Sequence, residues 1–517
     1  MKYRVFLLFT FLAFIFGSGS CRSNSNSFIF KAAINGNPKT LDPQCALNDS
    51  SYTVIYNVFQ GLFTYNKSGE IVNGMINSYS VSEDGLTWTF QLKDDVKWSD
   101  GGDFEAECTA NDYVFAFQRL FKPATKSERA SEFYIIKNAE KINKGKITDI
   151  SELGVKALDS YTLEITLEKP YLDFKTLLTL PPAMPCNEEY FFSTEGRYGL
   201  AAECVASNSD YYVHTWSYDK WSDDNNYFIL RKNKVNVSGK DIPSGINYFI
   251  NPVDEYKDFS EENLSVYIAK NADEVDDLIK NYDYITHDTG VWGIIFNLNG
   301  DFSDYDYRVS LADNINYVGE NKIYTTAQRI IPNCINIDNN TYTSISTDVS
   351  KNYKSIVANV GRLTSKTIIM PADSDLRNTI GDICQKWQSE HGFYCGISEL
   401  EHSEYNSALM NGSFDIALVK LSGEYNSPYA YLNNFLRSNF ENYSAYKNNK
   451  FEHIINSALT LTDYNDTAVF YAEAEQLLID NAIFVPLCIE TEYIFTSEKV
   501  SGVWYNPFTR SYSYEGK

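Results

Sequence analysis

Short apolar stretches with two different periodicities alternate along this chain. Residues 88–92 and 163–167 alternate apolar and polar side chains with a period of two, which is typical of half-buried strands. Residues 110–120 instead repeat apolar residues at helical spacing. Late in the chain, a helical apolar pattern over 470–478 is followed directly by an apolar strand at 483–488. These patterns predict sheets covered by helices, which is an α/β fold.

Length and charge narrow the kind of protein that can be expected. The chain has 517 residues, of which 44% are hydrophobic, so it can bury more than one core. It carries 68 acidic against 44 basic residues and contains no basic run. Because nucleic-acid binding depends on clustered Lys and Arg, this composition predicts no nucleic-acid partner. The most polar stretch, 217–240, is predicted to be a solvated loop with an edge strand.

The first twenty residues have the pattern of a secretory signal peptide. Lys2 and Arg4 precede an apolar run over 5–16, and small residues follow at 17–20. The apolar run is too short to span a bilayer, which needs about 20 residues. Cys21 comes directly after the small residues, and 21–27 reads as a polar tether. This arrangement resembles a bacterial lipoprotein signal, which implies a lipid on Cys21, anchoring in the cell membrane and an extracytoplasmic mature protein. Simple cleavage after the small residues is the alternative.

The remaining cysteines and histidines do not form a catalytic or metal-binding pattern. The number of cysteines besides Cys21 is even, which permits disulfides outside the cytoplasm, but their spacing does not give the pairing. Nucleophile-elbow, phosphate-loop, zinc-protease and dinucleotide motifs are absent. His402 has acidic neighbours that a charged turn explains better than a metal does. We therefore expect no enzyme activity, no metal site and no cofactor.

Several motifs occur in an order that resembles one family. They are Leu41-Asp-Pro43, Val58-Phe-Gln-Gly-Leu62, the run from Glu83 to Gly101, Thr109-Ala-Asn-Asp-Tyr-Val114 and the run from Gly154 to Pro170. Together they resemble the family 5 extracellular solute-binding proteins, the oligopeptide-binding receptors of ABC importers. The likeness extends over essentially the whole mature chain.

This resemblance implies a two-lobed, periplasmic-binding-protein-like α/β fold of type II with an extra domain inserted in the first lobe. Two strands should cross between the lobes, at 291–297 and 484–488. The implied segments are 1–20 for the signal peptide, 21–27 for the tether, 28–59 with 183–290 and 485–517 for lobe I, 60–182 for the extra domain and 291–484 for lobe II.

The resemblance also implies a function. The chain is expected to be a monomeric receptor that encloses a peptide between its lobes by hinge closure and delivers it to the membrane permease of an ABC transporter. Alternatives are a receptor of the same fold for a nickel complex or a sugar, or one for a signalling peptide.

The same resemblance implies a ligand site. In the family an aspartate within a D-Y-x-x-P segment binds the peptide's α-ammonium, and here Glu424-Tyr-Asn-Ser-Pro428 aligns with that segment. Glu424 is therefore the expected anchor, although it could instead be a surface turn residue. The further ligand-binding residues expected are Tyr425 and Asn426, then Leu418, Lys420, Leu421 and Ser422 on the preceding strand, and Leu47 and Asn48 on the opposite lobe.

Overall fold

A computed structural model of the chain describes residues 28–222, 226–236, 242–313, 315, 319–337, 340–353, 356, 358–363, 365–423, 425–439, 441–461, 463–497, 500, 503–509 and 511–514. The predicted signal peptide, Cys21, the tether and Glu424 lie outside these residues. No helix within the described ranges is long and apolar enough to cross a membrane.

The elements follow in chain order. The first 182 residues contain β1 (Ile29–Ile34), α1 (Asp49–Val58), β2 (Phe63–Tyr65), β3 (Ile71–Asn73), β4 (Ile76–Val81), β5 (Thr87–Leu92), β6 (Lys97–Ser99), β7 (Glu105–Glu107), α2 (Ala110–Phe121), α3 (Ala139–Asn143), β8 (Val155–Asp159), β9 (Thr162–Thr166) and α4 (Phe174–Leu177). Next come α5 (Glu188–Ser193), β10 (Tyr211–Ser217), β11 (Tyr227–Lys232), β12 (Gly245–Ile250), α6 (Glu255–Ser260), β13 (Val266–Ile268), α7 (Ala272–Leu278) and β14 (Asp283–Phe296).

The second half of the chain is richer in helices. It contains α8 (Tyr305–Ala312), β15 (Tyr324–Thr326), β16 (Asn336–Ile337), β17 (Asn340–Thr341), α9 (Tyr342–Ile345), β18 (Lys366–Pro371), α10 (Arg377–His391), β19 (Cys395–Leu400), α11 (His402–Asn411), β20 (Ile416–Leu421), α12 (Pro428–Leu432), α13 (Asn449–Ala458), α14 (Tyr464–Asp480), β21 (Phe484–Thr496), β22 (Val503–Asn506) and β23 (Ser511–Tyr514).

Three sheets organise these elements. The N-terminal sheet has the strand order β1-β12-β11-β10, with β1 parallel to β12. The inserted sheet, β4-β5-β9-β8, is antiparallel throughout and comes from residues 76–166. The central sheet has the order β13-β21-β14-β20-β18-β19, with β15 also paired to β21.

Two long strands run through the middle of the central sheet. β14 and β21 pair antiparallel from Asp283 opposite Thr496 to Ile295 opposite Phe484. At one end β21 pairs with β13, and at the other end β14 pairs with β20. β14 contains residues 291–296 of the first segment expected to cross between lobes, β21 contains the whole second segment, and both strands are longer than those segments. The lobe boundaries given above remain a prediction.

A buried ion pair fixes the start of the chain against α2. Arg119 donates to both carboxylate oxygens of Asp42 and, at 2.7 Å, to Oε1 of Gln44. Its guanidinium also lies 4.1 Å from the ring centroid of Phe191. Because the side chains of Arg119 and Asp42 are almost fully buried, each charge depends on the other for compensation. The L-D-P segment is thus tied to the part of the chain that carries the inserted sheet.

Most element predictions are confirmed, and one is wrong. The strands predicted at 88–92 and 163–167 fall in β5 and β9, and the helices fall in α2 and α14. The polar stretch 217–240 was expected to hold an edge strand, but β11 lies between β12 and β10. β10 occupies the edge instead, because it forms an antiparallel hairpin with β11, whose other side is paired with β12.

The cysteines of the described residues are free thiols. They are Cys45, Cys108, Cys186, Cys204, Cys334, Cys384, Cys395 and Cys488. The structure therefore pairs none of these eight cysteines and gives no disulfide connectivity.

Candidate ligand-binding site

The topology of the central sheet points to one edge as a binding site. β18, α10, β19, α11 and β20 form two consecutive crossovers, and the strands lie in the order β20-β18-β19. The chain therefore leaves β18 toward one side of the sheet and then returns to the other side to enter β20. In open α/β sheets, ligands bind outside the carboxyl ends of strands where the order reverses in this way. Here that position is occupied by the loop 372–376 and by residues 422, 423 and 425–427.

The residues that follow β20 pack against a hairpin from the first part of the chain. The side-chain amide of Asn426 donates to the carbonyl of Gly69 at 3.2 Å, and its oxygen accepts from the N–H of Asn336 at 2.7 Å. The Asn426 N–H donates to Oη of Tyr65 at 3.5 Å. Tyr425 and Asn426 are both buried. Asn426 is thus hydrogen-bonded both to the β2–β3 hairpin, through Tyr65 and Gly69, and to Asn336 at the start of β16.

Residues on β20 have different environments from one another. Leu418 is fully buried, and its carbonyl accepts from the Tyr405 hydroxyl at 2.6 Å. Leu421 is buried opposite Val291 of β14. Ser422, directly after the strand, is partly exposed. Ser422 is therefore partly exposed at the carboxyl edge of the sheet. Leu418 lies in the core, where its side chain has no exposed surface.

Lys420 is the residue of β20 that reaches a charged partner. Its Nζ lies 3.1 Å from Oε1 of Glu490 on β21, and Nε1 of Trp292 donates to the other oxygen of Glu490. The Lys420 and Glu490 side chains are 27% and 18% exposed, so they are only partly screened by water. Three neighbouring strands, β20, β14 and β21, are linked through this one carboxylate.

A histidine and a second glutamate lie beside this pair. Nε2 of His287 is 3.5 Å from Oε2 of Glu492, and the two residues are paired in register on β14 and β21. Burial, together with the charge of Lys420, lowers the pKa of His287 to about 4, so the imidazole is neutral near pH 7. Burial raises the pKa of Glu492, which Lys420 partly offsets and Glu490 reinforces. The cluster contains one lysine and two glutamates, so its carboxylates outnumber its positive charges.

Two further acids belong to the same neighbourhood. Burial raises the pKa of Asp375, in the loop after β18, and the charges of Glu490 and Asp373 add to the effect. Asp288 of β14 also has a pKa raised by burial, and it accepts from the Thr491 hydroxyl at 2.9 Å. The charge of Glu490 on β21 therefore acts on Asp375 in the loop after β18, and Asp288 on β14 is hydrogen-bonded to Thr491 of β21.

The residues expected on the opposite wall lie at the carboxyl end of β1. Asn48 is the N-cap of α1, accepting from the N–H of Ser51 at 3.2 Å, and Ser50 donates to the carbonyl of Asn35 at 2.6 Å. Leu47 is 50% exposed. No hydrogen bond within the described part of the chain joins Leu47 or Asn48 to the loop after β20. Their part in ligand binding remains a prediction.

Two open spaces lie near these elements. A cleft of about 360 Å³ is lined by the C-terminal end of α1, the β2–β3 hairpin and the β22–β23 hairpin, and Tyr65 is one of its walls. A second space, of about 30 Å³, lies between Asp173 and Asn426 and has room for about one water molecule. Of the expected ligand-binding residues that the structure describes, none lines the larger cleft and only Asn426 lines the smaller one.

Sequence reasoning missed Glu490, Trp292 and Asp375. A signal for Glu490 was present, because Glu490 and Glu492 are alternate residues that follow the apolar run 483–489 in the same strand, and alternate residues of a strand share one face. No comparable signal marked Trp292 or Asp375. Within the described ranges, no group of three or more His, Cys, Asp or Glu residues could hold a metal ion.

Comparison with known proteins places this fold in a family. Residues 70–443 match the family described as bacterial extracellular solute-binding proteins, family 5. This match covers well over half of the chain and includes β20 and the loops after β18 and β20. The chain therefore belongs to the family 5 bacterial extracellular solute-binding proteins.

Particular relatives extend this likeness over most of the chain. The periplasmic oligopeptide-binding protein OppA of Salmonella typhimurium is 24% identical over 91% of this chain and 88% of the relative. Listeria monocytogenes OppA bound to peptide superposes with a TM-score of 0.73 at 20% identity, covering 94% of this chain and 98% of that one. The Escherichia coli murein tripeptide-binding protein MppA gives 0.74 at 21% identity, covering 94% and 98%. The two-lobed α/β fold of type II is confirmed.

Proposed function

We propose that this protein is an extracytoplasmic receptor that encloses peptides between its two lobes and delivers them to the permease of an ABC transporter. Membership of the solute-binding family supports the receptor role, and the relatives described above support peptides as the solute. The likeness to these peptide receptors extends over about nine-tenths of this chain and is not limited to one motif.

A receptor for peptides of varied sequence has to recognise the groups that all peptides share. These are the backbone amides and the two termini, and an extended peptide can satisfy its amides by pairing with exposed main chain. Ser422 follows β20 at the carboxyl edge of the sheet, where β20 no longer has a full set of neighbours. The main chain of Ser422 is suited to bind an extended ligand, whereas the Gly423 backbone already hydrogen-bonds the Tyr431 hydroxyl.

The single observation that carries the peptide assignment is the acid in the loop after β20. Glu424 stands in the sequence between Gly423 at the open edge and Tyr425, which is buried with Asn426. A carboxylate there can pair with a peptide's α-ammonium, which would otherwise be desolvated without a counter-charge. Leu418 and Leu421 offer no charge for the peptide's carboxylate, so we assign no C-terminal anchor.

The test begins by identifying a ligand. The purified mature protein is incubated with a random pentapeptide library, bound peptides are identified by native mass spectrometry, and one is synthesised in free and N-acetylated forms. Removing one partner of a desolvated ion pair costs roughly 2–5 kcal/mol, so Glu424→Gln should weaken the free peptide about 30-fold or more. Acetylation should weaken wild-type binding similarly and should have little further effect on the variant.

Glu404→Gln is the matched control, since Glu404 is an exposed residue of α11 in the same lobe. It should leave the affinity unchanged. Equal wild-type affinities for free and acetylated peptide would refute the anchor, and failure to capture any peptide would refute the peptide assignment and favour another solute.

We further propose that the protein is a monomeric lipoprotein, held at the cell membrane through Cys21. The apolar run, the small residues before Cys21 and the polar tether after it support this anchor.

A further inference from the structure

A buried carboxylate joins the part of the chain that carries the inserted sheet to the part that carries the central sheet. Oδ2 of Asp173, at the start of α4, accepts from the Ser427 hydroxyl at 2.7 Å and from the Tyr471 hydroxyl at 3.3 Å. Ser427 caps α12, and Tyr471 belongs to α14. Asp173 and Ser427 are 254 residues apart in the sequence.

The three groups are shielded from water. Asp173 is 7% exposed, and Ser427 and Tyr471 are each 1% exposed. The Asp173 carboxylate has no ion-pair partner among the described residues, so these two hydroxyls are its compensation. Burying a carboxylate without a counter-charge costs free energy, and hydrogen bonds to the carboxylate offset part of that cost.

Other contacts around Asp173 join the same two parts of the protein. Asn426 donates to Gly69, and the rings of Tyr171 and Tyr429 meet edge to face with centroids 6.5 Å apart. Ser427 lies three residues after Glu424. The contact therefore holds the same loop on which the proposed ligand anchor lies.

From this geometry we propose that Asp173, Ser427 and Tyr471 form an interlobe latch that stabilises the closed, ligand-enclosing state without contacting the ligand. The proposal rests on the proposed function, because it assumes that the lobes separate to admit a ligand. When they separate, Asp173 returns to water and both hydroxyls lose this acceptor. Ligand affinity then includes the free energy of the latch, because only the closed state encloses the ligand.

The latch makes closure dependent on pH. Burial raises the pKa of Asp173, although the hydrogen bonds from Ser427 and Tyr471 act in the opposite direction. The titratable groups that face this carboxylate are the tyrosines Tyr65, Tyr171, Tyr425, Tyr429 and Tyr471, with Glu132 beyond two of them and Lys175 on the adjacent cavity wall.

The sign of this dependence follows from the raised pKa. In the open state the pKa of Asp173 should return toward its ordinary value, so closure takes up a proton. Affinity should therefore be highest at acidic pH and should fall as the pH rises from the ordinary pKa through the raised one.

The experiment measures peptide affinity and ligand-free thermal stability on the same variants, using the peptide selected from the pentapeptide library. Asp173→Ala should weaken binding about tenfold or more, because closure then leaves two buried hydroxyls unpaired. Tyr471→Phe should weaken it less, and the two changes together should be less than additive. Asp173→Asn keeps an acceptor and removes the charge, so it should retain affinity near pH 7 and lose the pH dependence.

Asp103→Ala, in the exposed β6–β7 turn, is the control and should change nothing. A static structural contact would lower the ligand-free melting temperature and leave the affinity unchanged, and that result overturns the latch. So does an affinity of Asp173→Ala equal to that of the wild type.

If the wild type binds no library peptide, the proposed function fails and the latch is tested without ligand. X-ray scattering should then show a smaller radius of gyration for the wild type at about pH 4.5 than at about pH 7.5. The same change in Asp173→Ala, or no change in the wild type, overturns the latch.

Discussion

Lys420 on β20 lies 3.1 Å from Glu490 on β21, although β14 separates these two strands in the sheet. The lysine reaches across β14 at Trp292, which donates to the same carboxylate. This contact couples β20, whose last residues lead into the ligand-binding loop, to a strand that runs the whole length of the central sheet. Burial is the main cause of the lowered pKa of His287 and the raised pKa of Glu492, and the charge of Lys420 adds to the first shift and partly offsets the second.

The first prediction concerns His287. Its pKa is lowered to about 4 by burial and by Lys420, so Lys420→Met should raise that pKa while leaving it below the ordinary value of a histidine, because burial remains. NMR titration of the imidazole resonances measures this shift. Lys366→Met is the control, since Lys366 pairs with Asp301 and Asp415 and is not among the causes of the His287 shift. An unchanged pKa in Lys420→Met would contradict the assigned cause.

The second prediction concerns the close approach of β14 and β20. A Cβ on Gly290 would overlap the carbonyl oxygen of Leu421, and backbone cannot move aside as a flexible side chain can. Gly290→Ala should therefore lower the free energy of unfolding by about 1–3 kcal/mol, the usual range for overpacking. It should also weaken peptide binding, because Leu421 leads into Ser422 and the loop.

Chemical denaturation and the peptide titration measure these two effects. Gly300→Ala is the matched control, because nothing lies within 4 Å of a Cβ at that position. Equal stabilities of the two variants would show that β20 can shift without loss.

Local features of the fold could be predicted from the sequence, whereas the contacts between site residues that are distant in the sequence could not. The apolar stripe Leu376, Ile380, Ile383, Cys384 and Trp387 followed by Gly392 predicts a helix, and α10 ends there with Gly392 at a φ of 63°. Such signals depend on neighbours within a few residues.

The contacts that define the site depend on pairing between distant segments. Nothing in the sequence around Lys420 indicates Glu490, and nothing around Asp173 indicates Ser427. Leu418 illustrates a second limit, because β20 is buried on both faces and strand alternation then gives no inward and outward side. The family resemblance supplied the loop after β20, but it could not supply partners that lie outside the aligned motif.

The third prediction concerns anchoring. If Cys21 carries the lipid, Cys21→Ala should move the protein from the membrane fraction to the soluble fraction, because a tether without acyl chains has little affinity for a bilayer. Fractionation and immunoblotting measure the distribution, with Ser23→Ala as a control in the same tether. Unchanged membrane association of Cys21→Ala would count against the lipid anchor.

The fourth prediction concerns the pH dependence of stability. Asp112 is buried at the start of α2, where it accepts from the Thr109 N–H at 2.7 Å, and burial raises its pKa to about 6. Because the folded state then binds the proton more tightly than the unfolded state, this group stabilises the fold at low pH. That contribution is lost as the pH rises from the ordinary carboxyl value, about 3.9, toward the raised one.

Asp112→Asn cannot titrate, so the comparison of the variant with the wild type isolates this group. The difference in free energy of unfolding should move in the variant's favour by up to about 3 kcal/mol between about pH 4 and about pH 7, since each pKa unit corresponds to about 1.4 kcal/mol. Denaturant unfolding across this range measures it. Only the slope is diagnostic, because the new amide also faces Asn187, which donates to the Asp112 carboxylate at 3.2 Å. A difference that stays constant with pH would show that Asp112 titrates alike in both states.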